Sequence, residues 1–454
     1  MNAKIESIQS TIDTLLTRFD AKVDTKVAIV QPGALKNAAE VLRSNLPLDR
    51  PWLVAVDQNT WEAAGKDLAA GLDAAGVAWE RWDVPLVDGE TEPFCDDERV
   101  EACQKELGKG FGAGVAVGSG TINDVVKLAA HRLNLPMACV ATAPSMNGFT
   151  SGIAAVLSEG VKTTVPCTAP KVVIADLDVL AEAPQRMIQS GLGDLLSKPV
   201  SNADWALSAM LIGSVHSKEA LEVIEKGSDM LNDVAPRLPL KDREAVAGLT
   251  GSLILSGIAM SVAGSSSPAS GGEHLISHYI DMTGHAFDLP CDFHGCQVGV
   301  GTLTTAFLYE KFRTLDPAGI DVDALVAAHK PWDEFERWLE EVFGPLFEAV
   351  SKHAKAGYPT QDELRARLTV VKERWAELME AIKPGLRTSG SIEAELREAG
   401  CPVRYAELNV DEGRASDAIK LSKNIRNRYT ILHLAAELGV LDGWADEAME
   451  RFYR

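Results

Sequence analysis

The stretch GVAVGSGTINDVVKLAA, residues 114–130, decides the fold. It opens as a run of small and β-branched apolar residues and turns at Gly118-Ser119-Gly120. It then continues with apolar residues at helical spacing. Strand, glycine turn and helix in that order make a phosphate-loop candidate. The glycines let backbone come close to an anion, and the unpaired N–H groups of a helix starting near Thr121 would face it. A lone GxG pattern is shared with ordinary strand-to-helix turns, so the neighbouring segments must carry the reading further.

Working outward, KVAIVQ, WLVAVD, MACVATAP and KVVIADLDVL read as further buried strands. ALKNAAEVLRSNL and WEAAGKDLAAGLDAAG read as the helices between them, a rhythm that implies a parallel sheet with helices on its faces. The run VPLVDGETEPFCDDE has no periodicity and reads as a surface loop. The first strand, in KVAIVQPGAL, carries no glycine motif; the glycine loop follows about 90 residues later. In the usual dinucleotide fingerprint the glycines follow the first strand. The expected fold over residues 1–186 is an α/β domain with a parallel sheet: either a Rossmann-like dinucleotide-binding fold with a late phosphate loop, or not a dinucleotide fold at all. Strand signals fade beyond Arg186. Long helical patterns such as PWDEFERWLEEVFGPLFEAVSKHA and DELRARLTVVKERWAELMEAI predict an all-α domain over residues 187–454.

Bulk properties agree with a soluble two-domain protein: 454 residues, 46% hydrophobic and 24% charged. A net charge of -21 repels phosphate backbones and anionic lipid, which argues against nucleic-acid partners. Seven scattered cysteines without a CxxC pattern fit free thiols in a reducing cytoplasm. The N-terminal residues carry acids and no cleavable apolar core, so no export signal is expected. Ala245 to Gly264 is uncharged and long enough to span a membrane. It is rich in Gly, Ser and Thr and stands alone, so a helix buried on all sides is the preferred reading.

Four of nine histidines, His274, His278, His285 and His294, crowd into one segment. His274 and His278 share one helix face. Histidines beside a buried helix are costly unless they bind something, which points to a metal. Upstream, MIQSGLGDLLSK offers Asp194 at what reads as a helix start, after Gly191 and Gly193. It is either a cap or a ligand. An Asp with two His leaves open coordination positions, as Zn²⁺ or a similar ion requires. His285 reads as loop. His131, His216, His329, His353 and His433 read as isolated surface or core residues. Asp57, ending WLVAVD, could bind an adenosine ribose and favour NAD over NADP, or cap a turn. Lys198 could hold a phosphate or pair with a carboxylate.

VGSGTINDVVK, TAPSMNGFTS, GDLLSK, EHLISHY and HGCQVGVGTL, in this order and spacing, resemble the sn-glycerol-1-phosphate dehydrogenase family. AGCPV and IRNRYTILHLAAELG resemble its bacterial branch. That family lies in the superfamily of iron-containing alcohol dehydrogenases, glycerol dehydrogenases and dehydroquinate synthases. The resemblance implies a metal, Zn²⁺ or Ni²⁺, on Asp194, His274 and His294. It places NAD(H) or NADP(H) against Asp57, Gly118, Ser119, Gly120, Thr121, Ile122, Thr142, Ala143, Pro144, Ser145 and Ser151. His278, Asp194 and Lys198 become catalytic candidates, and Asn147, Asp194 and His278 substrate contacts. Where the family usually has Asp, this chain has Asn147, which keeps the shape, loses the charge and gains a donor. The implied reaction interconverts dihydroxyacetone phosphate and sn-glycerol 1-phosphate, in a cytoplasmic homodimer. Alternatives are a dehydrogenase for another small phosphorylated or polyol substrate, a dehydroquinate-synthase-like lyase, and a nucleotide-binding relative without turnover.

Overall fold

The computed structural model describes residues 2–86 and 93–454. Eight strands are present among them: β1 (Val27–Gln31), β2 (Trp52–Val56), β3 (Trp79–Asp83), β4 (Ala113–Gly118), β5 (Met137–Ala141), β6 (Ile153–Ser158), β7 (Val161–Pro166) and β8 (Val172–Asp176). Six form a parallel sheet in the order β1-β8-β5-β4-β2-β3. The interior strands β2, β4, β5 and β8 are buried along their whole length. Continuous apolar runs are what a sheet covered on both faces demands. Trp52, Val54, Val115, Val140 and Ile174 form its core with Leu42 and Leu68 from flanking helices.

Three strands, β3, β6 and β7, were missed. β3 is WERWD, an edge strand with exposed charges, and charged side chains are a usual protection for an unpaired edge. β6 and β7 form a separate two-stranded sheet. They turn at Glu159 and Gly160, both with positive φ, 49° and 80°, as a tight hairpin turn requires. The expected surface loop lies partly outside the described residues, at 87–92. Its last two residues, Asp97 and Glu98, begin the helix Asp97–Leu107.

The topology explains the late glycine loop. From β2 the chain moves to β3 on one side; from β4 it moves to β5 on the other. The crevice at the carboxyl ends of β2 and β4 is therefore the switch point where open α/β sheets bind ligands. β4 is the strand that carries Gly118. Ala55 pairs with Ala116, so Asp57 and Gly118 leave the sheet at the same end of neighbouring strands.

The chain divides into two compact units, and Arg186 is not a boundary between them. The first comprises Met1–Ser158, Thr163–Leu195 and Lys218–Ser266; the second comprises Glu159–Lys162, Leu196–Ser217 and Ser267–Arg454. The return of Lys218–Ser266 to the first unit has a physical cause. Helix Arg243–Ala263 is apolar on every side and needs cover all round. It packs against helices Ala3–Arg18, Leu177–Glu182 and Lys218–Met230 and against β1. Its length and hydropathy would suit a membrane, but 94% of its apolar window is buried in the protein. The second unit is helical, apart from the turn Glu159-Gly160 and the first two residues of β7. Gly272–Phe287 and His294–Phe312 pack together within it, the latter also against Ser389–Glu398 and Leu441–Phe452.

Candidate active site

At the switch point, helix Gly120–Arg132 begins directly after β4, with Ser119 as its N-cap. The Ser119 hydroxyl makes no capping bond; it donates to the Ala143 carbonyl at 3.1 Å and shares a hydrogen bond with Ser145 at 2.5 Å. The Thr142 N–H donates to the Gly118 carbonyl at 3.1 Å. The runs Gly118–Ile122 and Thr142–Ser145, singled out in the sequence, thus form one bonded layer. Gly118 also answers to packing: a Cβ there would lie 2.8 Å from Ile122. Asp57 caps a short helix, Oδ1 accepting from the Thr60 N–H at 2.7 Å while Thr60 Oγ1 accepts from the Asp57 N–H at 2.9 Å. The capping alternative is therefore realised, on a residue that also stands at the switch point. Ser151 is buried and donates to the carbonyls of Gly148 and Ile153.

Asp194 does not start a helix. It lies in the last turn of Gln185–Leu196, 1% exposed. One turn earlier, Ser190 donates to the Ser145 carbonyl at 2.9 Å. Beside it, a Cβ on Gly191 would stand 1.9 Å from the Pro144 carbonyl oxygen. Ser190, Gly191 and Asp194 share a helix face, and that face lies against the loop Pro144–Asn147. Both oxygens of Asp194 accept from Asn147: Oδ2 from the backbone N–H and Oδ1 from Nδ2, each at 3.0 Å. Asn147, expected at the substrate, thus directs its amide to Asp194.

In the second unit His274, His278 and His294 come together. Their ring centroids are 5.2 Å apart for His274–His294, 5.4 Å for His278–His294 and 6.1 Å for His274–His278. His274 and His278 lie on helix Gly272–Phe287 and are nearly fully buried. His294 opens the next helix. His285 is helical and exposed, in the last turn of Gly272–Phe287, not in a loop.

The donor chemistry fits a divalent ion. His274 Nδ1 donates to Glu273 Oε1 at 2.7 Å, which leaves Nε2 as the nitrogen that can offer a lone pair. His294 Nδ1 lies 3.0 Å from the Ser277 hydroxyl. Ligand histidines are commonly held in this way through the second nitrogen. Two imidazoles on one tetrahedral ion at about 2.0–2.1 Å would have centroids about 5 Å apart, as His274 and His294 do. His278 Nδ1 is buried without a hydrogen-bond partner among the described residues. Burial, then the charges of Arg426, His294, His274 and Lys162, hold the His278 pKa well below that of free histidine. It is a neutral imidazole near pH 7. Among the described residues no group of three or more His, Cys, Asp or Glu side chains is gathered as a metal site. The full ligand set is therefore a matter for proposal.

Sequence reasoning missed two cations beside these rings. Arg426 donates from Nε (3.2 Å) and Nη2 (2.7 Å) to the Lys162 carbonyl. Burial and the neighbouring Arg428 push its pKa down to about 9, and both Arg426 and Lys162 act electrostatically on His278. The run IRNRY was visible in the sequence, but its partner lies 264 residues away, near the start of β7. Lys198 opens helix Lys198–Ile212, across a break at Ser197 from the helix of Asp194. Its Nζ donates to Ser197 Oγ and the Ala269 carbonyl at 3.1 and 3.2 Å. Of the other histidines, His329 bonds the Pro359 carbonyl and His433 serves the cap at Thr430.

Residues 29–184 match the family model described as iron-containing alcohol dehydrogenase. The chain is 30% identical over 392 residues to glycerol-1-phosphate dehydrogenase [NAD(P)+] of Bacillus licheniformis, covering 86% of this chain and 84% of the relative. It is 27% identical over 446 residues to the enzyme of the same name from Geobacillus thermodenitrificans, covering 98% and 100%. Among solved structures it resembles a probable glycerol dehydrogenase from Sinorhizobium meliloti, with TM-score 0.59, 16% identity and coverage of 93% and 98%. That last likeness concerns the fold.

Proposed function

We propose that this chain, which belongs to the glycerol-1-phosphate dehydrogenase family, reduces dihydroxyacetone phosphate to sn-glycerol 1-phosphate with NAD(P)H and a divalent metal. It is an oxidoreductase of a CH–OH group. The bound metal supplies polarisation of the substrate carbonyl, and the nicotinamide supplies hydride.

The protein's own part is to position, to charge and to pass a proton. His274 and His294 supply imidazole ligands, and Asp194 supplies the carboxylate. Zn²⁺ and Ni²⁺ both suit this nitrogen and oxygen set. The layer Gly118–Ile122 with Thr142–Ser145 and Ser151 would hold the dinucleotide, and the N–H groups of the helix N-terminus would suit its pyrophosphate. Asp57 stands where an adenosine ribose is bound at a switch point. His278 carries one ring N–H in its neutral form and hydrogen-bonds the oxygen that becomes the hydroxyl. Arg426 and Lys162 provide positive charge for the substrate phosphate in a chain whose net charge is negative. Lys198 is a further candidate for that role.

The observation that carries this reading is the pair His274 and His294, each with Nδ1 engaged, at 2.7 and 3.0 Å, beside the neutral, buried His278. By family resemblance we place the enzyme in the cytoplasm as a homodimer; its seven unbridged cysteines fit a reducing compartment. The test is a substrate panel for the purified chain with Zn²⁺ or Ni²⁺: dihydroxyacetone phosphate, dihydroxyacetone, and other phosphorylated ketones. Preference for dihydroxyacetone phosphate with sn-glycerol 1-phosphate as product supports the assignment. A better phosphorylated ketone would move it to another substrate of the same class.

A further inference from the structure

Asn147 is a departure that the reaction itself does not explain. Its backbone N and its Nδ2 both donate to one carboxylate, each 3.0 Å from a different oxygen of Asp194. A two-point contact fixes both the position and the plane of a carboxylate. An ionised carboxylate has about four acceptor positions, and this grip uses two of them.

The loop that makes the grip is itself held on several sides. Lys127, fully buried and ion-paired with Asp124 at 2.9 Å, donates to the Gly148 carbonyl at 2.9 Å. Asp124 in turn accepts from the Ala155 N–H at 2.9 Å. Helix Arg243–Ala263 passes the loop at Gly257, where a Cβ would stand 2.3 Å from Thr150 Oγ1 and 2.9 Å from the Asn147 carbonyl. Thr150 donates to the Ile254 carbonyl of that helix at 2.7 Å. Neither partner of the grip is free to drift: Asp194 rides on a helix face pressed against Pro144, and Asn147 on a loop buttressed by Lys127 and Gly257.

We infer that Asn147 is a positioning residue for Asp194, holding its carboxylate in one orientation for the metal. This rests on the reading of Asp194 as a metal ligand. An Asp at 147 could not serve in the same way. It would set an acceptor against an acceptor about 3 Å away, and two carboxylates so placed must share a proton. In this chain a neutral amide does what a second carboxylate could do only when protonated.

The test is Zn²⁺ affinity by chelator competition on the full chain, with Co²⁺ loading and visible absorption as a probe of ligand geometry. Wild type is compared with Asp194→Ala, Asn147→Ala and Asn147→Ser. Loss of a partner that orients a ligand costs about 10–100-fold in affinity. Asn147→Ala is expected to lose at least tenfold and to change the Co²⁺ spectrum, with Asn147→Ser, which keeps a shorter donor, in between. Asp194→Ala should abolish tight binding. If Asp194→Ala binds Zn²⁺ as wild type does, the ligand reading falls and the inference with it. If Asp194→Ala fails to bind but both Asn147 variants match wild type within twofold, in affinity and spectrum, the inference alone is overturned. Should Asn147→Ala not fold, Asn147→Ser decides by the same two readouts.

Discussion

Glu273 Oε1 accepts from Nδ1 of His274 and from the backbone N–H of Gly271, both at 2.7 Å, with the Glu273 side chain fully buried. The carboxylate fixes which nitrogen of His274 carries the proton, and hence which one offers a lone pair. It also ties the ring to the start of its own helix. Replacing Glu273 by Ala should therefore weaken metal binding by about 10–100-fold, measured by chelator competition. Glu273→Gln keeps an acceptor and should lose much less. Equal affinity in all three proteins would remove Glu273 from the account.

Asp204 anchors the same helix start. It accepts from the N–H groups of Gly272 and Ile431, each at 2.7 Å, and from the Tyr309 hydroxyl at 2.6 Å. Burial, then the Glu273 charge, pushes its carboxyl up to about 7. An unfolded carboxyl titrates near about 4. A raised folded value means the stabilisation is fully present below about pH 4 and is lost as pH rises through 7. Relative to Asp204→Asn, wild type should lose Tm between pH 4 and 7 and level off above. Parallel Tm profiles would contradict this.

Gly191 marks a close backbone approach on the helix of Asp194. A Cβ 1.9 Å from the Pro144 carbonyl oxygen cannot be accommodated without moving the helix or the loop. Gly191→Ala should destabilise the protein by about 1–3 kcal/mol or more, read as a drop in Tm. Metal affinity should fall with it, because Asp194 sits one turn further along. An unchanged Tm would mean that the helix yields freely.

Arg426 is predicted to recognise phosphate. Arg426→Ala should raise KM for dihydroxyacetone phosphate about 10–100-fold, as expected for a lost charge-assisted hydrogen bond. KM for unphosphorylated dihydroxyacetone should move little. A rise of similar size for both substrates would show that Arg426 acts by holding the strand at Lys162.

Much of the fold was legible because its signals are local. Every interior strand is apolar throughout except for Asp176 at the end of β8, and the Gly118-Ser119-Gly120 turn marks the strand at the switch point. The edge strand WERWD was not legible, because it keeps its charges in solvent. Nor was the hairpin at Glu159-Gly160, whose strands are only partly buried. The division of the chain escaped for a different reason. Helix Arg243–Ala263 reads as buried, but nothing local says which elements cover it. In the site, the His274 and His278 pairing follows from helical spacing. The Asn147 grip on Asp194 does not, since it joins a loop to a helix 47 residues away. The same holds for Arg426 and Lys162.

The central claim is metal-dependent reduction of a phosphorylated ketone by this chain. Its most direct test is a titration of metal-stripped protein with Zn²⁺ or Ni²⁺, following NAD(P)H oxidation with dihydroxyacetone phosphate. The rate should rise from near zero and saturate at one metal ion per chain, and Asp194→Ala, His274→Ala and His294→Ala should not respond. Full turnover in the stripped protein, or none at any loading with either metal, would contradict it.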